Sequence, residues 1–253
     1  MATPTIKQLL NGVKDKTNRK FEDGKTFTMP SDNLDMSNVT EADLNEFINM
    51  IGYIETKNKD ISQAEAAKGL RGEGIFQFES GPEGGGYTAI NRAKNKLPSN
   101  VTADWLGRLR DDARNNNKSS FNAMEKLNEE DQKYLMAATV LLQDPKALIN
   151  FSNASTLKEK KEILVDDYWA PTHWGGASTY GKHIDPSTKK PFTDPQTFYN
   201  WKTNKVKKDL KGVKGTMNSG NTIYNYKPLY DYDDTSQVMN SIFNDDFNLD
   251  DFA

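Results

Sequence analysis

A mainly α-helical protein with extended, partly irregular ends is what this sequence predicts. Three stretches carry apolar residues at helical spacing between recognisable start and stop residues. A single short apolar run, Ile75-Phe76-Gln77-Phe78, interrupts them, and both ends of the chain are polar with little periodicity.

Composition sets the outer limits. Only 35% of the 253 residues are hydrophobic and 27% are charged, thin for a fully compact body of this length, so part of the chain is expected to be extended or partner-dependent. A formal net charge of -3 argues against nucleic acid as the main partner, because phosphate binding calls for a basic excess. Cysteine is absent, which removes disulfides, thiolate metal sites and thiol nucleophiles together. With two histidines only, His173 and His183, a multi-His zinc site is disfavoured, and neither metal nor cofactor is expected. No apolar run approaches the roughly 20 residues that span a bilayer. The first ten residues lack the charged-then-apolar order of a secretory signal.

Taken in chain order, residues 1–39 read as a flexible arm rich in Lys, Asn, Thr and Asp. The first helix is predicted after Thr40, a capping residue, with Glu41 and Asp43 in its positive first turn. Leu44, Phe47, Ile48 and Ile51 form its core-facing stripe, and Glu55, eleven residues after Leu44, completes nearly three further turns and returns to that stripe. Residues 69–86 are crowded with glycine, as suits loops that approach a ligand or take positive φ. A second helix is predicted over Glu129 to Gln143, capped by Asn128 and followed by Pro145. A third, about Thr156 to Trp169, runs into Trp169-Ala-Pro-Thr-His-Trp-Gly-Gly176.

The chemistry-bearing candidate is Glu55. Cleavage of a glycosidic bond needs an acid that holds its proton near neutral pH, and a glutamate half sunk in apolar surroundings at a helix end has its pKa raised by desolvation. Periodicity alone leaves the plainer reading, a solvated carboxylate at a helix end, ahead.

Its neighbours change the balance. Glu55-Thr56, then Gly74-x-x-Gln77, then the aromatic stretch from Tyr168 to Gly176 resemble, in order and spacing, the phage lytic transglycosylases of the lysozyme-like superfamily. Residues 72–92, with Phe76-Gln77-Phe78-Glu79 and Gly84-Gly85-Gly86, look similar to virion-associated enzymes of tailed phages, cyanophage-like members among them. The resemblance covers about residues 41–181, and the Tyr-Asn-x-Gly form common in bacterial enzymes is missing. It implies an α+β lysozyme-like catalytic domain over 40–181, cutting peptidoglycan glycan strands between N-acetylmuramic acid and N-acetylglucosamine. Glu55 would protonate the glycosidic oxygen and then accept the proton of the sugar's own 6-hydroxyl, which closes an anhydro ring. Thr56, Gln77 and Phe78 would bind substrate or hold the loop beside the acid. Tyr168 would hydrogen-bond near Glu55 or the sugar, and His173 and Trp174 would line the cleft.

Other readings of these residues stand beside that one. Gln77 fits the polar face of a short strand, His173 a satisfied structural histidine, and Trp169 and Trp174 core indoles. If Glu73, Glu79 or Glu83 held a water as a second carboxylate, Glu73 foremost, the enzyme would be a hydrolytic lysozyme, an outcome set by carboxylate separation.

Residues 182–253 read as a C-terminal extension. Lys202 to Lys214 contains six lysines and one aspartate, expected to be a solvated surface. From Pro228 onward there are seven aspartates, no basic residue and five aromatic residues, which fits a tail that docks on another protein. With the resemblance, this implies a protein carried in a virion, in the tail or internal core, that opens the host wall during genome ejection. The rival from another class is a non-catalytic virion structural protein that keeps a lysozyme-like fold.

Overall fold

A computed structural model of the chain describes residues 3–20, 24, 26, 28–56, 58, 72–79, 85–98, 101–102, 104, 106, 127–169, 177–210 and 232. These are mainly helical, with almost no strand.

The first helix, α1 (Ile6–Lys14), lies inside the stretch expected to be a flexible arm. Thr5 caps it, its hydroxyl accepting from the Gln8 amide while the Gln8 side chain accepts from the Thr5 amide at 2.8 Å, a reciprocal capping box. Leu9, Leu10 and Val13 are buried in the main core. Ile6, Leu9, Leu10 and Val13 stand at i, i+3, i+4 and i+7, an amphipathic stripe that packs α1 on two longer helices. The arm reading is corrected over Ile6–Lys14.

Helix α2 (Glu41–Thr56) follows as expected, with the Thr40 hydroxyl accepting from the Asp43 amide at 3.1 Å. A two-stranded antiparallel hairpin, β1 (Gly72–Glu73) and β2 (Phe78–Glu79), pairs Gly72 with Glu79 and Glu73 with Phe78 around the turn Gly74 to Gln77. Helix α3 (Gly85–Lys96) comes next, and Ala89, Ile90 and Ala93 on it are buried.

Helix α4 (Glu129–Gln143) is the central element. Asn128 caps it, and every residue from Tyr134 to Leu142 is buried, because it packs against α1, α2, α3 and the following helix α5 (Pro145–Ser152). A helix apolar on nearly all sides must be enclosed in this way. Helix α6 (Leu157–Ile163) begins with a second capping box, Thr156 with Glu159. It continues into a π-helical segment, Leu164–Trp169, whose wider turn carries Tyr168 and Trp169 inward.

The region expected to be a loose C-terminal extension is ordered as far as residue 210. A short 3-10 turn (Ala177–Lys182) leads to helix α7 (Pro195–Leu210), which packs on that turn and on the π-helical segment, and the Tyr199 hydroxyl donates to the Asp166 carbonyl at 2.9 Å. Phe198 anchors a satellite cluster: His183 stacks on it at 4.7 Å, Phe192 meets it edge-on at 5.3 Å, and Trp201 lies beside both. Lys202, read as part of a solvated lysine face, is buried, with its ammonium 5.4 Å from the Phe198 ring centroid. Helical spacing from Phe198 puts it on the inner face, where burial lowers its pKa.

Tyr232, in the acidic aromatic tail, is 1% exposed and lies against the chain's own body. Its ring meets Tyr53 edge-on at 5.3 Å and its carbonyl accepts from the Lys161 ammonium. The rest of the tail lies outside the described residues.

Candidate functional site

Glu55 occupies the last turn of α2. The stripe that includes Leu44, Phe47, Ile48 and Ile51 drives that helix into the core, and each of these residues is at most 3% exposed. Glu55 follows the stripe inward while keeping a partial opening to solvent. Burial alone pushes its carboxyl up to about 8, so it holds its proton at neutral pH.

The end of α2 is bound to the hairpin turn. Thr56, 8% exposed, donates from its hydroxyl to the Ile75 carbonyl at 2.8 Å. The amide of the same Ile75 donates to the Gln132 side-chain oxygen at 2.8 Å, and the Gln132 amide group donates to the Leu127 carbonyl at 3.0 Å. Both backbone groups of Ile75 are therefore fixed, one to α2 and one to α4. Close approach makes this possible. Gly52 faces Asn58 and Ile75 where any Cβ would collide, and Gly74 has φ +75° with Gln132 in the space a side chain would fill.

Gln77 lies in the turn, not on a strand face. It has φ 47°, and its side-chain amide folds back to donate to the Gly74 carbonyl at 2.8 Å. It braces the loop bonded to the residue next to Glu55. Phe76 and Phe78 flank it in edge-on contact, 6.1 Å between ring centres, and both are buried.

Tyr168 reaches the same region from the π-helical segment. It is 4% exposed and packs edge-on against Phe47 of α2 at 5.3 Å. Its hydroxyl is held well above the usual tyrosine range by burial first, then by the negative charges of Asp144 and Glu55, with Arg92 opposing them. Glu55, Asp144, Arg92 and Tyr168 thus share one electrostatic neighbourhood. Burial also raises Asp144, and Asp167 adds to that effect against a hydrogen bond from the Ala147 amide. Arg92 presents a buried Nη1 with no hydrogen-bond partner in the protein.

Of the expected site residues, Glu55, Thr56, Gln77, Phe78 and Tyr168 fall in this part of the fold. Glu73 belongs to β1 by its backbone, but its side chain lies outside the described residues, as does that of Glu79. Glu83, His173 and Trp174 lie outside them altogether. Sequence reasoning missed Gln132, Asp144 and Arg92. The signal for Gln132 was present, since it sits three residues before Leu135 on the apolar face of α4, a polar side chain where the pattern calls for core. Asp144 reads in the sequence only as a cap before Pro145.

Among the described residues, no group of three or more His, Cys, Asp or Glu converges as metal ligands would, and no helix is long and apolar enough to cross a membrane. No protein-family model, curated protein or solved structure matches the chain.

Proposed function

We propose that this chain is a peptidoglycan-cleaving muramidase of lysozyme-like fold, acting as a lytic transglycosylase with Glu55 as its acid. One observation carries the reading. A single glutamate at the end of a core helix is held protonated by burial, with its carboxyl raised to about 8, beside a turn tied to the next residue by Thr56.

That placement suits the chemistry. Protonated Glu55 donates to the glycosidic oxygen as the bond to the muramic acid sugar breaks. The resulting carboxylate accepts the proton of the sugar's 6-hydroxyl as that oxygen closes on the anomeric carbon, and the acid is regenerated. One carboxyl serves both steps, so no paired aspartate is needed. Tyr168 bears on the charge that appears transiently on Glu55, and Gln77 keeps the turn in place. Carriage in a virion, with the acidic tail binding another virion protein, belongs to the same proposal and rests on the resemblance over residues 41–181.

The test is digestion of purified peptidoglycan by the full chain and by Glu55→Gln, with products identified by mass spectrometry. Anhydro-muropeptides from the unmodified chain alone are expected. Hydrated reducing ends would turn the reading to a hydrolytic lysozyme, with Glu73 or Asp144 as the carboxylate to replace next. Activity that survives Glu55→Gln would overturn the assignment, and inactivity of both on several wall types would favour a structural virion protein.

A further inference from the structure

Charge is divided sharply along the last third of the chain. Residues 170–227 contain ten lysines, three aspartates and neither arginine nor glutamate, whereas residues 228–253 contain seven aspartates and no basic residue. The two stretches are therefore equal and opposite in charge. A block of like charge repels itself, and a block of opposite sign on the same chain relieves that repulsion.

The described part of the basic stretch forms a surface patch. After the 3-10 turn, Ile184 bridges to Pro191, and the Asp185 amide donates to the Lys190 carbonyl at 2.8 Å, closing a short loop. Ile184 is 51% exposed, and among the described residues no other large hydrophobic side chain is exposed. Lys182, Lys189 and Lys190 are exposed in and beside the same loop. Phe192 seats the loop on α7 through Trp201, 5.2 Å between ring centres, and Trp201 is only half-buried. Lys208 is exposed two turns further along that face of α7. The aspartates of this region are engaged in their own turns. Asp185 accepts from the Ser187 amide at 2.8 Å and hydroxyl at 2.6 Å, and Asp194 from the Thr197 amide at 2.7 Å and hydroxyl at 2.6 Å. Among the described residues, none pairs in a salt bridge with Lys182, Lys189, Lys190 or Lys208.

Tyr232 fixes where the acidic stretch leaves the body, with its ring on Tyr53 and its carbonyl on Lys161 of α6. Helix α6 runs into the π-helical segment, and α7 packs on that segment, so one short element separates the anchor from the helix that bears the patch. The 21 residues after Tyr232 reach about 70 Å when extended. They interleave Ile242, Phe243, Phe247, Leu249 and Phe252 with Asp245, Asp246, Asp250 and Asp251, the complement of an exposed isoleucine among lysines. We propose that residues 242–252 dock on this patch of their own chain, apolar side chains against Ile184 and Trp201 and aspartates on Lys182, Lys189, Lys190 and Lys208. A tether of this length holds the segment at about a millimolar, so modest contacts suffice. The docking is independent of the chemistry at Glu55, and another protein that takes the tail must draw it off the patch.

The test treats an equal mixture of ¹⁴N and ¹⁵N full-length chains with a zero-length carbodiimide at low salt and identifies lysine–aspartate links by mass spectrometry. Isotope-matched links are expected from Asp245, Asp246, Asp250 or Asp251 to Lys182, Lys189, Lys190 or Lys208. They should be about tenfold more abundant than links to Lys7 and Lys96, which are exposed elsewhere on the fold. Ile184→Ser, at an exposed position, and Phe247→Ala should each lower the yield about threefold or more, because both remove apolar contact. Isotopes mixed as often as matched would place the tail on a second copy. Links spread evenly over the patch, Lys7 and Lys96, or gathered on other lysines, would show attraction without a site. Either result, an absence of links, or a yield unchanged in both variants would overturn the proposal.

Discussion

The Thr56 hydroxyl donates to the Ile75 carbonyl at 2.8 Å, joining the last turn of the helix that carries Glu55 to the turn that carries Gln77. It also lies 3.3 Å from the Gly52 carbonyl, so the hydroxyl bridges its own helix and the hairpin. Replacing it by an isosteric methyl keeps the shape and removes the donor. Thr56→Val should therefore cost about 1–2 kcal/mol of stability, the scale of a buried hydrogen bond whose acceptor is left unmatched. If the proposed activity holds, kcat/KM on peptidoglycan should fall about tenfold while Thr56→Ser stays near the parent, since displacing a site-bearing loop slightly is costly. Equal stability and activity in Thr56→Val and the parent chain would show that the tether does not hold the site.

Glu55 makes a second prediction, one of pH. Burial raises its carboxyl from the ordinary 4.5 to about 8, so the folded chain keeps a proton that the unfolded chain has lost between those values. Stability must then fall as pH rises from 4.5 to 8 and level off above it, the reverse of an ion-paired carboxylate. Glu55→Gln removes this dependence, and at pH 8 it should be more stable than the parent by about 2 kcal/mol, a value discounted from the full shift for the partial opening to solvent. Urea unfolding of both chains from pH 4 to 9 checks this: the gap should open through that window. In the activity assay the same group should give a loss of rate above pH 8. A constant gap across pH would mean that the carboxyl is not desolvated.

How far the sequence revealed this arrangement depends on which force fixes each part. Helices α2 and α4 were legible to the residue at their starts, because Thr40 and Asn128 are local caps and the apolar stripes repeat at 3.6 residues. That Glu55 returns to the apolar stripe was legible from the same spacing, but its burial was not, since periodicity alone left a solvated carboxylate as the plainer reading. Helix α1 was legible too but was overlooked in a polar stretch: Thr5 and Gln8 form a capping box, and Ile6, Leu9, Leu10 and Val13 recur at i, i+3, i+4 and i+7. Lys202 was misread on residue type, although Phe198 four positions earlier marks the inner face of its helix. The role of Gln132 depends on a contact 57 positions away with the Ile75 amide, so spacing alone could not identify it.

A third prediction concerns that contact. Gly74 takes φ +75°, and an added Cβ there would collide with the Gln132 side-chain oxygen. Gly74→Ala should cost about 2–4 kcal/mol, from left-handed backbone strain together with displacement of the Gln132 bond to Ile75. Gln132→Ala opens the space but leaves the Ile75 amide without its acceptor. The two losses overlap, so the double variant should be less destabilised than the sum of the single ones by about 1 kcal/mol or more. Additive denaturation midpoints would show that Gln132 does not occupy the space beside Gly74 in solution.

The last prediction separates the two ways in which Tyr232 is held. Its ring packs edge-on against Tyr53, while its backbone carbonyl accepts from the Lys161 ammonium, which is buried. Tyr232→Ala removes only the ring and should cost about 1–2 kcal/mol, from lost aromatic area and edge-to-face contact. Truncation after residue 227 removes the carbonyl as well and leaves a buried ammonium short of an acceptor, so it should cost about 1–3 kcal/mol beyond Tyr232→Ala. Lys161→Met discriminates the cause. In that background truncation and Tyr232→Ala should become nearly equal, because no ammonium remains to lose this acceptor. Chemical denaturation of the six chains, the parent and Lys161→Met each alone, with Tyr232→Ala and with the truncation, measures the differences. If the truncated chain matches the parent in stability, the tail does not rest on Tyr53 and Lys161; if Lys161→Met leaves the difference intact, the carbonyl contact is not its source.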